Sequence, residues 1–223
     1  MLKLSENPIL TARPPAPRMT VDRIKLELRR LPHLHDDRRL TTRQTRQSFR
    51  DARAAATAEA AIGSLPGPDE ATHLVVSGRF ALWHMIPAAL ALSGCSITHL
   101  FIATLGFSRA NIDNLCALMD AGRVGTLHLV GSHYFKATSA PTYQHAVDML
   151  GKRSKARFTS LRNHEKLLAM EFSDGRRLTI ESSANLRSSE NIEGMTLFGD
   201  PAVHAFHVGW IGDLFTAADL GAS

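Results

Sequence analysis

The chain has 223 residues, of which 44% are hydrophobic and 21% charged, with a formal net charge of +5. That is enough apolar material for one α/β domain with an extension, and too little for a string of large domains. Two cysteines, Cys95 and Cys116, exclude a disulfide framework and a zinc cluster, and the apolar runs around them predict buried thiols.

The charge is unevenly placed. Residues 1–68 carry 13 Lys and Arg against 7 Asp and Glu, and the remainder carries 13 against 14. A basic N-terminal third suits either a polyanionic partner such as nucleic acid or a solvated helical leader. Pro8, Pro14, Pro15 and Pro17 leave residues 1–19 without hydrophobic periodicity, so they read as flexible. Val21, Ile24, Leu28 and Leu31 recur at helical spacing until Pro32. Thr42 to Ile62, rich in Ala, Arg and Gln, predicts a second helix. The Gly and Pro residues of Gly63 to Asp69 then mark a turn. The expected organisation is a basic, partly flexible extension over 1–68 and one α/β domain over 69–223.

No apolar leader precedes the Pro cluster. The longest apolar stretch, Phe80 to Leu92, is interrupted by His84 and Pro87. It falls short of the roughly 20 residues that span a bilayer. The expectation is a soluble, cytoplasmic protein with no transmembrane segment.

Past residue 69 the pattern alternates. His73 to Val76 predicts a strand and Ala81 to Leu92 a helix. A buried strand follows over Ile97 to Ala103, then a helix over Arg109 to Met119 capped by Ser108. Val124 to Val130 and Ala156 to Leu161 predict strands separated by a helix over Pro141 to Leu150. This alternation predicts a mixed, largely parallel sheet with helices on both faces. The last third adds strands over Lys166 to Phe172 and Leu178 to Glu181, joined at Asp174-Gly175 by a hairpin turn. A strand over Ile192 to Phe198 and a closing helix from Pro201 to about Ala218 complete the domain.

The chemistry concentrates between Asn163 and Glu193. His164 and Lys166 lie two residues apart at the opening of a strand, which puts both on one face. The hairpin returns the chain so that Ser183 and Asn185 arrive beside them. An imidazole, an ammonium, a hydroxyl and a carboxamide then converge. Such a cationic, donor-rich pocket suits a phosphodiester. Lys155, Arg157 and Arg162 precede this motif and fit a rim that tracks phosphates, and Ser132 ends a strand whose tip can line the pocket.

This stretch resembles the phospholipase D superfamily signature, H-x-K-x4-D followed by G-S-x-N. The correspondence runs through His164-Glu165-Lys166, then Glu171, then Ser182-Ser183-Ala184-Asn185. Asn191-x-Glu193 is similar to the family's later Asn-x-Glu. Glu171 stands where Asp is usual and Ser182 where Gly is usual. The resemblance implies a phospholipase D-like fold and a two-step phosphodiesterase reaction needing no metal or cofactor. His164 attacks phosphorus and forms a phosphohistidine, and a second histidine protonates the leaving oxygen and activates water. Lys166, Asn185 and Ser183 hold the phosphate oxygens. Glu193, or failing it Glu190, fixes the tautomer of His164. With one motif per chain, the resemblance implies a two-fold homodimer with the active centre on its axis. The basic leader favours nucleic acid as substrate. A silent nucleic-acid-binding accessory protein and a phospholipid hydrolase are the alternatives.

Overall fold

The computed structural model describes residues 37–187 and 191–221. The expected helix over Val21 to Leu31 and the alternative carboxylate Glu190 lie outside the described residues. The chain divides into two compact units, Met1–Ser48 and Phe49–Ser223. In the first, the described part is the opening of helix α1 (Asp37–Ile62). The sheet and the site belong to the second.

That unit runs through β1 (Ala71–Ser77), a 3₁₀ turn (Leu82–His84), α2 (Met85–Ser93), β2 (Ile97–Ala103), α3 (Arg109–Asp120) and β3 (Val124–Ser132). It continues through α4 (His133–Thr138), α5 (Ala140–Leu150), β4 (Ala156–Leu161), β5 (Leu167–Phe172), β6 (Arg177–Ser182), β7 (Ile192–Phe198) and α6 (Pro201–Gly221). Ser108 caps α3 as expected, its hydroxyl accepting from the Asn111 amide.

Among the described residues the strands form one sheet in the order β1-β7-β6-β5-β2-β3-β4. The sheet is mixed, and the expectation that it is largely parallel is corrected here. Only β2–β3 and β3–β4 pair in parallel. The pairs β1–β7, β7–β6, β6–β5 and β5–β2 are antiparallel. The reason lies in the connections. A helical crossover returns the chain to run in the same direction, and α3 and α4–α5 supply the crossovers here. The β5–β6 connection is a tight hairpin, with Gly175 at φ 88° in the left-handed region that its turn needs. Strand β1 passes by β2 altogether and pairs with β7, with Ala71 opposite Phe198.

Helices cover both faces, as expected. Leu100, Ile102, Leu127, Leu129, Leu168 and Met170 pack with Ile86 of α2, Ile112 and Leu115 of α3, Leu150 of α5 and Ala58 and Ile62 of α1. Phe101, Ala103, Val130, Leu167 and Ala169 point the other way, under Ile211 and Phe215 of α6. Each fully buried Leu, Ile or Phe contributes on the order of 2 kcal/mol. These two layers fix the ends of β2, β3, β5 and β6, where the motif residues emerge. Cys116 is buried, whereas Cys95 is only partly so and donates its thiol to Asp174 at 3.3 Å.

Candidate functional site

The motif sits where β5, β6 and β7 meet a loop at the ends of β2 and β3. His164 and Lys166 fall just before β5 rather than inside it, because the strand opens at Leu167. The ladder still extends one residue further by backbone, since the Ser182 amide donates to the Lys166 carbonyl at 2.9 Å. Lys166 folds its ammonium back onto His164, 3.0 Å from Nδ1 and 2.7 Å from the carbonyl oxygen. His164 is exposed and Lys166 half-buried.

Ser183 follows β6 directly. Its amide donates to the Gly194 carbonyl and its Oγ accepts from the Gly194 amide, both at 3.0 Å. The Ser183 hydroxyl donates to Glu193 Oε2 in a short hydrogen bond. Two pairs thus stand on neighbouring strand ends, His164 with Lys166 and Ser183 with Glu193. The described hydrogen bonds give Glu193 to Ser183 and the His164 Nδ1 to Lys166. Asn185 lies between buried Ala184 and buried Leu186, and its Oδ1 is buried with no hydrogen-bond partner.

The two departures from the family signature have local explanations. Ser182 has no positive φ, so its turn does not need glycine. Its hydroxyl closes the turn instead, donating to the Gly194 carbonyl at 3.1 Å and accepting from the Ala184 amide at 2.9 Å. Glu171 lies five residues along the strand from Lys166, about 16 Å away. There it takes His99 Nδ1 at 3.0 Å and the buried His204 Nε2 at 3.4 Å, fastening α6 to the sheet. Burial lowers the pKa of His204, and Glu171 partly offsets that. His207 also faces the sheet, with Nε2 2.9 Å from Glu181 Oε1.

One positioning residue has no signal in the motif itself. Thr104, fully buried at the end of β2, clasps both loops of the site. The Asn163 carboxamide donates to the Thr104 carbonyl at 3.3 Å and to the Val130 carbonyl at 3.4 Å. Asn163 Oδ1 in turn accepts from the Glu165 amide at 2.8 Å. The Thr104 hydroxyl donates to the Gly106 carbonyl at 3.0 Å and accepts from the Leu186 amide at 3.4 Å. The loop before His164 and the loop after Asn185 therefore share one anchor.

The basic residues before the motif separate in space. Arg162 follows β4, while Lys155 precedes it, about 20 Å away along the strand. Arg157, on β4, donates to the Phe215 carbonyl at 3.0 Å and stacks over the Phe215 ring at 4.9 Å. Arg162 lines a cavity of about 480 Å³ together with Leu105, Ser132, His133, Tyr134, Asn163 and His164. The Ser132 hydroxyl caps α4, accepting from the Tyr134 amide at 3.0 Å. An open cleft of about 700 Å³ has Val75, Glu165, Ser183 and Gly194 on its wall.

No protein-family profile matches the chain, and no curated protein matches it. Solved structures do. NucT from Helicobacter pylori is 13% identical with a TM-score of 0.47, over 66% of this chain and 97% of that one. The phospholipase D family member Nuc from Salmonella typhimurium is 11% identical with a TM-score of 0.46, over 66% and 95%. Polyphosphate kinase from Porphyromonas gingivalis is 11% identical with a TM-score of 0.47, over 63% of this chain and only 25% of that one. With TM-scores below 0.5 these likenesses carry no argument for this chain, and its activity has to be argued from its own residues. Among the described residues, no helix is long and apolar enough to cross a membrane.

Proposed function

We propose that this chain carries one half-site of a phosphodiesterase, with His164 as nucleophile and a second copy supplying the facing histidine. The observation that carries the reading is the standing of the His164–Lys166 and Ser183–Glu193 pairs on adjoining strand ends, with His164 on the wall of a cavity. In the first step the His164 imidazole bonds to phosphorus and the P–O bond to the leaving group breaks, with the partner's histidine ring donating the proton. In the second step water displaces the imidazole, and the same partner ring takes the proton. Lys166 and Asn185 hold non-bridging oxygens, Asn185 by donating from its Nδ2 hydrogens. Ser183 assists and holds Glu193 in place. The chemistry of these residues requires no metal ion or cofactor.

A second copy is supported by the sheet face beside the motif. Val75 and Ile192 are 81% and 76% exposed there, next to Gly194 on the wall of the open cleft. An apolar strip of this kind favours a protein contact. The substrate we favour is nucleic acid, on the strength of the basic N-terminal third and of Arg162 beside His164.

One observation favours a second reading, a silent nucleic-acid-binding protein of the same fold. Glu193 is engaged by Ser183, and the Nδ1 of His164 faces an ammonium rather than a carboxylate. Turnover of bis(p-nitrophenyl) phosphate with EDTA present separates the two, run beside plasmid and liposome substrates. The enzyme reading expects hydrolysis by the parent and none by His164→Ala. Binding of DNA by both, with hydrolysis by neither, establishes the silent protein. Release of headgroup from liposomes alone points to a phospholipid hydrolase.

A further inference from the structure

The cavity beside His164 has a feature that phosphodiester chemistry does not use. Tyr134 lines it and is 67% exposed, although the backbone around it is firmly held. Its amide donates to the Ser132 hydroxyl at 3.0 Å, and its carbonyl accepts from the Thr138 hydroxyl at 2.9 Å. Phe135, the next residue, is buried against Phe107 with ring centroids 4.5 Å apart. Gly106 lets that packing close up, since a Cβ there would stand 3.0 Å from the Phe135 ring. The α4 turn is therefore anchored from inside while its aromatic ring is presented outward.

We propose that this cavity is a subsite for one unstacked nucleobase, with Tyr134 as the stacking platform and Leu105 as the apolar floor. The inference rests on the phosphodiesterase reading and names the form of its substrate, a single strand. The volume of about 480 Å³ lies at the small end of ligand pockets and suits a flat base with its sugar. Leu105 and Tyr134 are its apolar side chains, and a ring fits them where an acyl chain of a dozen or more carbons needs a longer apolar run. Arg162 and His133 also line the cavity and can meet the phosphates flanking that base. His164 lines the cavity as well, so the base it accepts is adjacent to the bond that is cut. A base inside a duplex is already stacked on both faces and does not enter, so the subsite selects single strands.

The test is equilibrium binding by fluorescence anisotropy, using the full chain with His164→Ala to prevent cleavage. The probes are a labelled oligothymidylate, an abasic sugar-phosphate oligomer of the same length, a blunt duplex, and phosphatidylcholine–phosphatidylglycerol vesicles. The expected result is that Tyr134→Ala weakens oligothymidylate binding on the order of 10-fold. Binding of the abasic oligomer stays unchanged, and Tyr134→Phe binds like its parent. Equal loss on the abasic oligomer, no loss on either, or tighter binding of duplex than of single strand overturns the base subsite. So does binding of vesicles without oligothymidylate. In each of those cases turnover of bis(p-nitrophenyl) phosphate still decides the phosphodiesterase reading, because that assay involves no nucleobase.

Discussion

The Lys166 ammonium lies 3.0 Å from Nδ1 of His164. An ammonium has no lone pair, so it donates and Nδ1 accepts. A neutral His164 ring in this arrangement carries its hydrogen on Nε2. That form cannot attack phosphorus through Nε2, which carries the hydrogen. Attack requires the hydrogen on Nδ1, and hence requires Lys166 to let go. The non-bridging oxygens of a bound phosphodiester offer the ammonium a charged acceptor in exchange for a neutral one. Substrate binding and activation of His164 are thereby linked through one side chain.

Lys166→Ala is therefore expected to lower turnover of a simple phosphodiester by about 100-fold or more, the usual effect of losing one oxyanion donor. Lys166→Arg should restore part of it, since charge is kept while the reach changes. Steady-state kinetics on bis(p-nitrophenyl) phosphate read both variants. An unchanged rate for Lys166→Ala removes Lys166 from the site.

Thr104→Val keeps the shape of the residue but deletes the hydroxyl that joins Gly106 to Leu186. It leaves two buried polar groups without that partner, which costs about 1–3 kcal/mol. A shifted urea midpoint measures this. Asn163→Ala removes the other half of the clasp and should reduce turnover more than stability, because it frees only the exposed loop carrying His164.

Stability should fall on mild acidification. Burial holds the pKa of His84, His128 and His204 below the ordinary 6.5 in the folded protein. Asp51 and Glu171 pull against this at His84 and His204, and Arg157 and His99 add to it at His128. The unfolded chain takes up these protons as the pH drops through 6.5, while the folded chain takes them up only at lower pH. The unfolded state thus binds more protons in that window, and the stability present above 6.5 is lost as the pH falls. The urea midpoint at about pH 5.5 is expected below that at about pH 7.5. A level or rising midpoint contradicts the assignment.

Charges placed on the apolar strip should separate the proposed dimer. Val75→Lys and Ile192→Lys alter exposed positions, so each should change folding stability by no more than about 0.5 kcal/mol. Analytical ultracentrifugation is expected to show monomers, with turnover lost alongside. Active monomers would mean that a single chain supplies the whole centre.

Local pattern carried much of this architecture. The strands expected over Ile97–Ala103, Ala156–Leu161 and Ile192–Phe198 form with those bounds. Strand direction was not legible, because it depends on partners distant in the chain, such as Ala71 with Phe198. Helix α4 escaped notice because His133–Thr138 is short and its cap, Ser132, also ends a strand. Within the site, strand period two did not describe the His164–Lys166 pair, because both precede β5 and Lys166 folds back onto His164. Side-chain direction in the basic run was not legible either, and β4 carries Lys155 and Arg162 to opposite ends of one strand. Thr104 was hidden for a different reason: its role consists of hydrogen bonds to two loops that meet only in the folded chain.

The central claim, that His164 becomes covalently bonded to phosphorus, is tested most directly by trapping. The full chain is mixed with an oligonucleotide, quenched in alkaline denaturant, digested, and read by mass spectrometry. The account predicts an acid-labile phosphoryl adduct on the peptide carrying His164, absent from His164→Ala. Hydrolysis with no adduct there, or an adduct on another residue, would contradict it.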